Sequence, residues 1–304
     1  MATLLIDSGA SVPASHRIGQ LRLCVVEARP VVLLIYAVRF VVAFALTHPT
    51  GVPAPWWRLP VALLTWVLAA ASVYLLDGVA DVVEDRLNGS TRPIARGALP
   101  ASLALNIGIL WAGLSIAGAL LLGAPYVFLV PTLLLLGYAY SGPLLRLKRW
   151  SPAAGATVLI AGLLTFVAGG AVSGSVPTSP TLIVFAAAMS SWMGFVGALA
   201  KDFSDVLGDA LTGRRTCAVV KGIRRAGWRL SLNAILVAAG FLIAATYVDQ
   251  TLLWPALAVL LGAVAVTLGC RPQSAQIRPR RPYRAFMVTQ YLAHAAVPVA
   301  IVCS

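Results

Sequence analysis

Nine apolar runs, each roughly 20 residues long, occupy most of this 304-residue chain. A run of that length crosses the hydrocarbon core of a bilayer as an α-helix. The chain is 60% hydrophobic and 11% charged, which excludes an ordinary soluble domain. Alternating strands of about ten residues, as a membrane β-barrel needs, are absent from the sequence. We therefore predict an all-α polytopic membrane protein with spans over 30–46, 59–76, 102–122, 124–140, 152–172, 180–200, 230–248, 252–269 and 284–303.

Basic residues are concentrated in alternate connections between these spans. All but two of the 23 Lys and Arg residues lie before the first span or near 77–101, 141–151, 201–229 and 270–284; the exceptions are Arg39 and Arg58. Because basic loops stay on the cytoplasmic side, the N-terminus is predicted to be cytoplasmic and the C-terminus external. The composition favours a bacterial cytoplasmic membrane. This distribution also indicates that the net charge of +13 reflects the topology of the chain in a membrane and not the binding of a nucleic acid.

The chain is predicted to hold one membrane domain, 28–304, after a flexible cytoplasmic arm, 1–27. An internal repeat divides the domain, because DVVEDRLNG at 81–89 is similar to DVLGDALTG at 205–213. The two copies follow spans of the same orientation, so a duplication would be parallel. We therefore expect two pseudo-repeated halves, roughly 28–150 and 151–304, that face each other across a central cavity.

Seven of the ten acidic residues form two clusters on the predicted cytoplasmic side. Residues 77, 81 and 85 share one helix face, and so do 202, 205 and 209. Carboxylates this close repel one another, and Mg²⁺ would neutralise them while binding waters and phosphate oxygens. The predicted metal ligands are Asp77, Asp81, Asp85, Asp202, Asp205 and Asp209, of which Asp81, Asp85, Asp202 and Asp205 are predicted to be catalytic.

Two facing carboxylate clusters predict a site for a diphosphate held between metal ions, with basic side chains on the remaining oxygens. Candidates for that contact are Arg92, Arg96, Arg146, Lys148, Lys201, Arg214 and Arg215. An apolar cavity behind the diphosphate would hold a hydrocarbon tail, and aromatic faces could stabilise an allylic cation. Candidates for that role are Tyr74, Tyr138, Tyr140 and Trp192.

Four motifs of this chain resemble those of the UbiA superfamily of intramembrane prenyltransferases. DGVADVVED at 77–85 is similar to the family's NDxxDxxxD, and RPIARG at 92–97 to its Arg-Pro-Ile segment. YSGPLLRLK at 140–148 is similar to YSxPPxRxK, and the segment 201–216 to KDxxDxxGDxxxGxxT. One departure stands out, because the family's leading Asn-Asp pair is Asp77-Gly78 here.

The resemblance implies nine helices around a central cavity, with the aspartate motifs at the cytoplasmic end under a cap. It implies that five carboxylates bind Mg²⁺–diphosphate, those of Asp81, Asp85, Asp202, Asp205 and Asp209. It further implies that Arg146, Lys148 and Lys201 contact the diphosphate and that Tyr140 lines the site.

Three functions remain in competition at the level of sequence. In the leading one, an acceptor, expected to be aromatic, attacks the prenyl cation. In the second, a terpene cyclase of the same superfamily, the cation is attacked by its own double bonds. The third, a transporter, would place charges at the midplane of the bilayer, where Arg39 is the only basic residue deep within a predicted span. The sequence does not decide the role of Arg39.

Overall fold

The computed structural model describes residues 14–47, 55–174, 176–271 and 278–303, and it is almost entirely helical. In chain order the helices are α1 (Ala14–Glu27), α2 (Pro30–Thr47), α3 (Arg58–Ala80), α4 (Val82–Leu87), α5 (Ala101–Leu122), α6 (Tyr126–Ser141), α7 (Ser151–Gly170), α8 (Pro180–Ser191), α9 (Ala198–Lys201), α10 (Val206–Leu211), α11 (Cys217–Val248), α12 (Leu253–Gly269) and α13 (Arg281–Cys303). A π-helical segment, Trp192–Gly197, joins α8 to α9, so that Pro180–Lys201 is one continuous span.

Within the described residues, eight helical segments are long and apolar enough to cross a membrane, which confirms the all-α membrane class. The remaining predicted span corresponds to α6, an apolar helix of 16 residues that is shorter than the others. A helix of that length rises about 24 Å, less than the roughly 30 Å of a typical hydrocarbon core. The count of nine spans therefore rests on α6 and stays a prediction, as does the cytoplasmic cap.

Helix α11 begins well before the predicted span over 230–248. Thr216 Oγ1 accepts a hydrogen bond from the Val219 amide and caps the new start. Gly222 then interrupts the helical geometry with φ +78°, a value that favours glycine. The basic residues of 217–229, predicted as a connection, therefore lie on helix. The prediction from the sequence relied on apolar runs. It missed this segment because the basic residues interrupt the apolar pattern.

Helix α1 corrects the prediction of a flexible arm over 1–27, of which residues 1–13 lie outside the described part of the chain. Residues 14–27 are helical and pack against α3. Cys24 and Glu27 are fully buried. Glu27 pairs with Arg92 at 2.8 Å (Oε1 to Nη2) and accepts a hydrogen bond from the Ile94 amide. The helix is therefore part of the domain, and this buried ion pair holds its end in place.

Glycines allow the membrane helices to approach closely, as in many helix pairs within bilayers. A Cβ added to Gly169 of α7 would lie 2.2 Å from the carbonyl oxygen of Phe40 in α2. A Cβ added to Gly262 of α12 would lie 2.1 Å from Thr289 Oγ1 in α13. The two contacts bring α7 close to α2 and α12 close to α13.

Gly169→Ala is expected to destabilise the protein by about 1–3 kcal/mol, because the new methyl group meets backbone that cannot move aside. Gly240→Ala in α11 is the matched control, since nothing lies within 4 Å of a Cβ there and the position is exposed. The measurement is the thermal unfolding midpoint in detergent. The packing account fails if the two variants unfold at the same temperature.

Candidate active site

The two acidic segments fold alike at the ends of their spans. Asp81 has φ −100° and ψ 9°, Asp205 has φ −112° and ψ 8°, and each begins a six-residue helix, α4 or α10. Gly89 and Gly213 follow these helices with φ +63° and +74°. The local repeat predicted from the sequence therefore has the same backbone geometry in both copies. The wider division into two pseudo-repeated halves stays a prediction.

Helices α4 and α10 lie against each other, which brings the two acidic segments together. The Gly208 amide donates to Asn88 Oδ1 at 2.9 Å, and a Cβ at Gly208 would lie 2.4 Å from that side chain. Arg214 Nη1 bridges the segments, lying 3.4 Å from Glu84 Oε2 and 3.2 Å from Asp209 Oδ1. Carboxylates more than 100 positions apart thus share one cation, as the predicted shared site requires.

Lys148 is buried among the acids of the first segment. Its ammonium lies 3.2 Å from Asp77 Oδ1 and also hydrogen-bonds Asp81 Oδ1. Ser141 donates to the same Asp77 oxygen. Burial alone would lower the pKa of Lys148, but the carboxylates of Asp77 and Asp81 raise it. Burial, and then the neighbouring Asp77, raise the pKa of Asp81 against the opposing attraction of Lys148.

The second segment holds carboxylates that are less well compensated. Ser151 Oγ donates to Asp202 Oδ2 at 3.3 Å. Burial, and then Asp209, raise the pKa of Asp202 to about 7. Asp209 is fully buried, and burial raises its pKa to about 6 although Arg214 opposes this. No hydrogen bond within the described residues reaches Asp209 Oδ2. Such an uncompensated buried acceptor favours a further positive partner.

A cavity of about 150 Å³ lies between the helices beside these acids. At its charged end it is lined by Arg29, Asp77, Lys148, Lys201, Asp202 and Arg214, all within a few residues of a helix end. Farther along, the lining is aromatic and aliphatic, including Tyr36, Tyr74, Leu133 and Ala161. The cavity can therefore take a ligand with an anionic head and an apolar tail.

Three of the seven predicted phosphate contacts line this cavity, namely Lys148, Lys201 and Arg214. Arg92 does not, because Glu27 and Asp85 occupy its guanidinium at 2.8 and 2.7 Å. The remaining three, Arg96, Arg146 and Arg215, do not line the cavity either.

Two of the six predicted metal ligands, Asp77 and Asp202, line the cavity directly. Asp81 does not line the cavity but pairs with Lys148, which does. In the same way, Asp209 pairs with Arg214, which lines the cavity. Asp85 pairs with Arg92, and Asp205 lies 4.0 Å from Lys201.

Tyr138 and Trp192 do not line the cavity, in contrast to Tyr74 and Tyr140. Tyr138 is 51% exposed on the outer face of α6, because residues two apart on a helix cannot share a face. Trp192 is fully buried, but its indole stacks on Phe286 and donates to that residue's carbonyl oxygen. The structure therefore does not bring these two predicted side chains to the cavity.

The profile of the UbiA prenyltransferase family matches residues 37–291, most of the chain. The chain belongs to the UbiA prenyltransferase family. It is 33% identical over 212 residues to a digeranylgeranylglyceryl phosphate synthase of Halobacterium salinarum, covering 69% of this chain and 72% of the relative. It is 28% identical over 236 residues to homogentisate phytyltransferase 1, chloroplastic, of Arabidopsis thaliana, covering 71% of this chain and 58% of the relative.

Solved UbiA structures share the fold. A UbiA homologue of Archaeoglobus fulgidus bound to GPP and Mg²⁺ superposes with a TM-score of 0.72 at 19% identity, covering 92% of this chain and 99% of the other. A structure of a digeranylgeranylglyceryl phosphate synthase gives a TM-score of 0.64 at 13% identity, covering 94% and 98%. The predicted UbiA membership and fold are thus confirmed.

Glu27 lies against Gly78, the position at which the Asp77-Gly78 pair departs from the family motif. A Cβ at Gly78 would lie 2.4 Å from Glu27 Oε1 and 2.6 Å from Arg92 Nη2. The buried pair of Glu27 and Arg92 fills the space that a longer side chain at position 78 would need. The sequence signal that could have revealed this role of Glu27 was its position as a lone acidic residue just before the first predicted span.

No three Asp, Glu, His or Cys side chains converge as a metal site anywhere in the described ranges. Mg²⁺ does not require three, since it is usually held by one or two carboxylates with waters and substrate phosphates. The pairs of acids at the cavity and the uncompensated oxygen of Asp209 fit that mode of binding.

Glu27→Gln is expected to destabilise the protein by roughly 3 kcal/mol, because it leaves Arg92 with a single carboxylate partner in a buried site. In an Arg92→Met background the same change should cost under about 1 kcal/mol. Thermal unfolding of the natural protein, Glu27→Gln, Arg92→Met and the double variant gives the coupling energy between Glu27 and Arg92. Equal costs in both backgrounds would show that the ion pair does not hold α1.

Proposed function

We propose that this protein transfers a prenyl group from an allylic prenyl diphosphate to an acceptor, with Mg²⁺ as its cofactor. The observation that carries the proposal is the meeting of both acidic segments with Lys148 and Arg214 at one end of a mostly apolar cavity. The names of the sequence relatives support transfer, and the Archaeoglobus fulgidus homologue was solved with GPP or DMAPP and Mg²⁺.

The metal would be held by the carboxylates of the two segments, Asp77, Asp81, Asp85, Asp202, Asp205 and Asp209. When bound, Mg²⁺ supplies charge neutralisation that makes the diphosphate a better leaving group. Each of the carboxylates Asp77, Asp81 and Asp209 is now within 3.2 Å of a cationic side chain, Lys148 or Arg214. We propose that these two cations turn from carboxylates to phosphate oxygens when substrate binds, because the carboxylates would then hold the metal.

The rest of the cavity would hold the prenyl tail and the cation that forms. The allylic C–O bond breaks with its electron pair leaving on the diphosphate. The rings of Tyr74 and Tyr140 line the cavity and present aromatic faces to positive charge. The apolar walls exclude water, which would otherwise capture the cation.

The site is proposed to face the cytoplasm. The basic connections and the acidic segments lie at the same helix ends, and basic residues mark the cytoplasmic side. The acceptor is proposed to be aromatic. Cyclisation without an acceptor is the competing chemistry, and it would use the same diphosphate end.

Replacing either Asp81 or Asp205 with Ala is expected to lower turnover about 100-fold or more, because each removes a group that would hold the metal and diphosphate. Asp249→Ala is the matched control, since this carboxylate lies at the other end of the bundle, where it accepts hydrogen bonds from Thr181 and Thr251. Release of diphosphate measures the effect. Full activity of both Asp81→Ala and Asp205→Ala would exclude this metal site.

Product analysis without an acceptor separates transfer from cyclisation. Purified protein is incubated with Mg²⁺ and C10, C15 or C20 prenyl diphosphate, and the extract is analysed by gas chromatography–mass spectrometry. We expect intact diphosphate, or slow hydrolysis to the linear alcohol, because a transferase lacks its second substrate. A cyclic hydrocarbon or cyclic alcohol that depends on Mg²⁺ would instead establish a terpene cyclase.

A further inference from the structure

Glu27 is a buried acid that belongs to neither of the two acidic segments. It is the last residue of α1, and its side chain is fully buried. Its Oε1 lies 2.8 Å from Arg92 Nη2, and its Oε2 accepts a hydrogen bond from the Ile94 amide at 2.9 Å. Arg92 Nη2 also donates to the carbonyl oxygen of Glu27 at 3.1 Å. The segment that follows the first acidic cluster is therefore held against α1 by contacts to this one residue.

The carboxyl group of Glu27 occupies the place of a side chain at position 78. Gly78 lies within α3, and a Cβ built there would lie 2.4 Å from Oε1 and 3.2 Å from Cδ of Glu27. The same Cβ would lie 2.6 Å from Arg92 Nη2, so an aspartate at position 78 would meet the same guanidinium. Position 78 is also where the motif of the family has an aspartate and this chain has glycine. Helix α1 thus supplies a carboxyl group at a place where α3 has none.

Arg92 connects Glu27 to the first acidic segment. Its Nη1 lies 2.7 Å from Asp85 Oδ2, and the Asp85 side chain is 18% exposed whereas that of Glu27 is inaccessible. Two carboxylates and one guanidinium together carry a net negative charge. If Glu27 were replaced by a neutral residue, the guanidinium would be balanced by Asp85 alone, and its charge would oppose the binding of a cation there. With Glu27 in place, the charge beside Asp85 attracts a cation.

We propose that Glu27 is a positioning residue for the divalent cation: it neutralises Arg92 and so leaves Asp85 free to hold the metal. In this role Glu27 replaces a carboxylate at position 78. The inference rests on the proposed function, in which Asp85 is one of the metal-holding acids. Glu27 itself does not touch the metal or the diphosphate, because its two oxygens face Arg92 and the Ile94 amide. Groups that hold a metal ligand in this way are typically worth about 10-fold or more in metal affinity.

The test measures the affinity for Mn²⁺, used in place of Mg²⁺, by electron paramagnetic resonance. Purified full-length protein in detergent is titrated with Mn²⁺ in the presence of a non-hydrolysable thiodiphosphate analogue of geranyl diphosphate, and circular dichroism verifies that each variant is folded. Glu27→Gln keeps the size of the side chain and removes its charge, so the affinity should fall about 10-fold. Asp249→Asn is the matched control: this carboxylate is bound by Thr181 and Thr251 at the other end of the bundle, and its loss should leave the affinity unchanged.

Two double variants separate the charge of Glu27 from the space that it fills. Glu27→Ala removes the side chain that a Cβ at position 78 would meet. In that background Gly78→Asp returns a carboxylate to Arg92, and the affinity should be within about threefold of the natural value. Gly78→Ala in the same background fills space without charge, and the affinity should stay about 10-fold lower. This comparison does not require Glu27→Gln to fold.

Two results would overturn the inference. One is a natural Mn²⁺ affinity in Glu27→Gln, and the other is the same affinity in both double variants, which would leave Glu27 with a role in packing alone. If the natural protein binds no Mn²⁺ with the analogue, the proposed function fails and the inference fails with it. If the natural protein binds Mn²⁺ and changes at positions 27 and 78 have no effect, only the inference fails.

Discussion

Carboxylates buried at the end of an apolar helix bundle require nearby positive charge, and here that charge comes from distant parts of the chain. Lys148, from the connection after α6, lies between Asp77 and Asp81 of the α3 end. Arg214, before α11, lies between Glu84 and Asp209. Removing one partner of such a buried pair is strongly destabilising, so each pair fixes the register of the segments that it joins. The close approach of α4 and α10 follows from these pairs and from the Asn88–Gly208 contact.

The same pairs explain how a metal and a diphosphate could be accepted without leaving unpaired charge. Of the two acids that line the cavity, Asp77 pairs with Lys148, and Asp202 feels the charges of Arg214 and Lys201. Each of these cations suits a phosphate. In the proposed mechanism, positive charge would shift from protein carboxylates to ligand oxygens while the total in the site stays balanced. Arg39 differs because no carboxylate of the described chain neutralises it. The cavity therefore has two basic regions of different character, and carboxylates compensate only the first of them.

The fold class and the register of both acidic repeats could be predicted from the sequence, because hydropathy and helical spacing are local properties. The similar backbone angles at Asp81 and Asp205 agree with that register. The side of the helix on which a single aromatic residue lies is hard to read from the sequence. A membrane helix is apolar on all sides, so its sequence shows no amphipathic period. Trp192, which does not line the cavity, is an example. Tyr138 differs, because its spacing of two residues from Tyr140 already places the two rings on different faces of α6. Glu27 was missed because its role depends on Arg92 and Gly78, which are far away in the chain.

The most direct test of the shared site is a crystal structure with Mn²⁺ in place of Mg²⁺ and a non-hydrolysable thiodiphosphate analogue of geranyl diphosphate. Anomalous scattering locates the metal without reference to the ligand density. The account predicts metal between segments 77–85 and 202–209, with the analogue's phosphate oxygens within hydrogen-bond distance of Lys148 and Arg214. Metal bound by only one segment, or a diphosphate group elsewhere in the cavity, would contradict it.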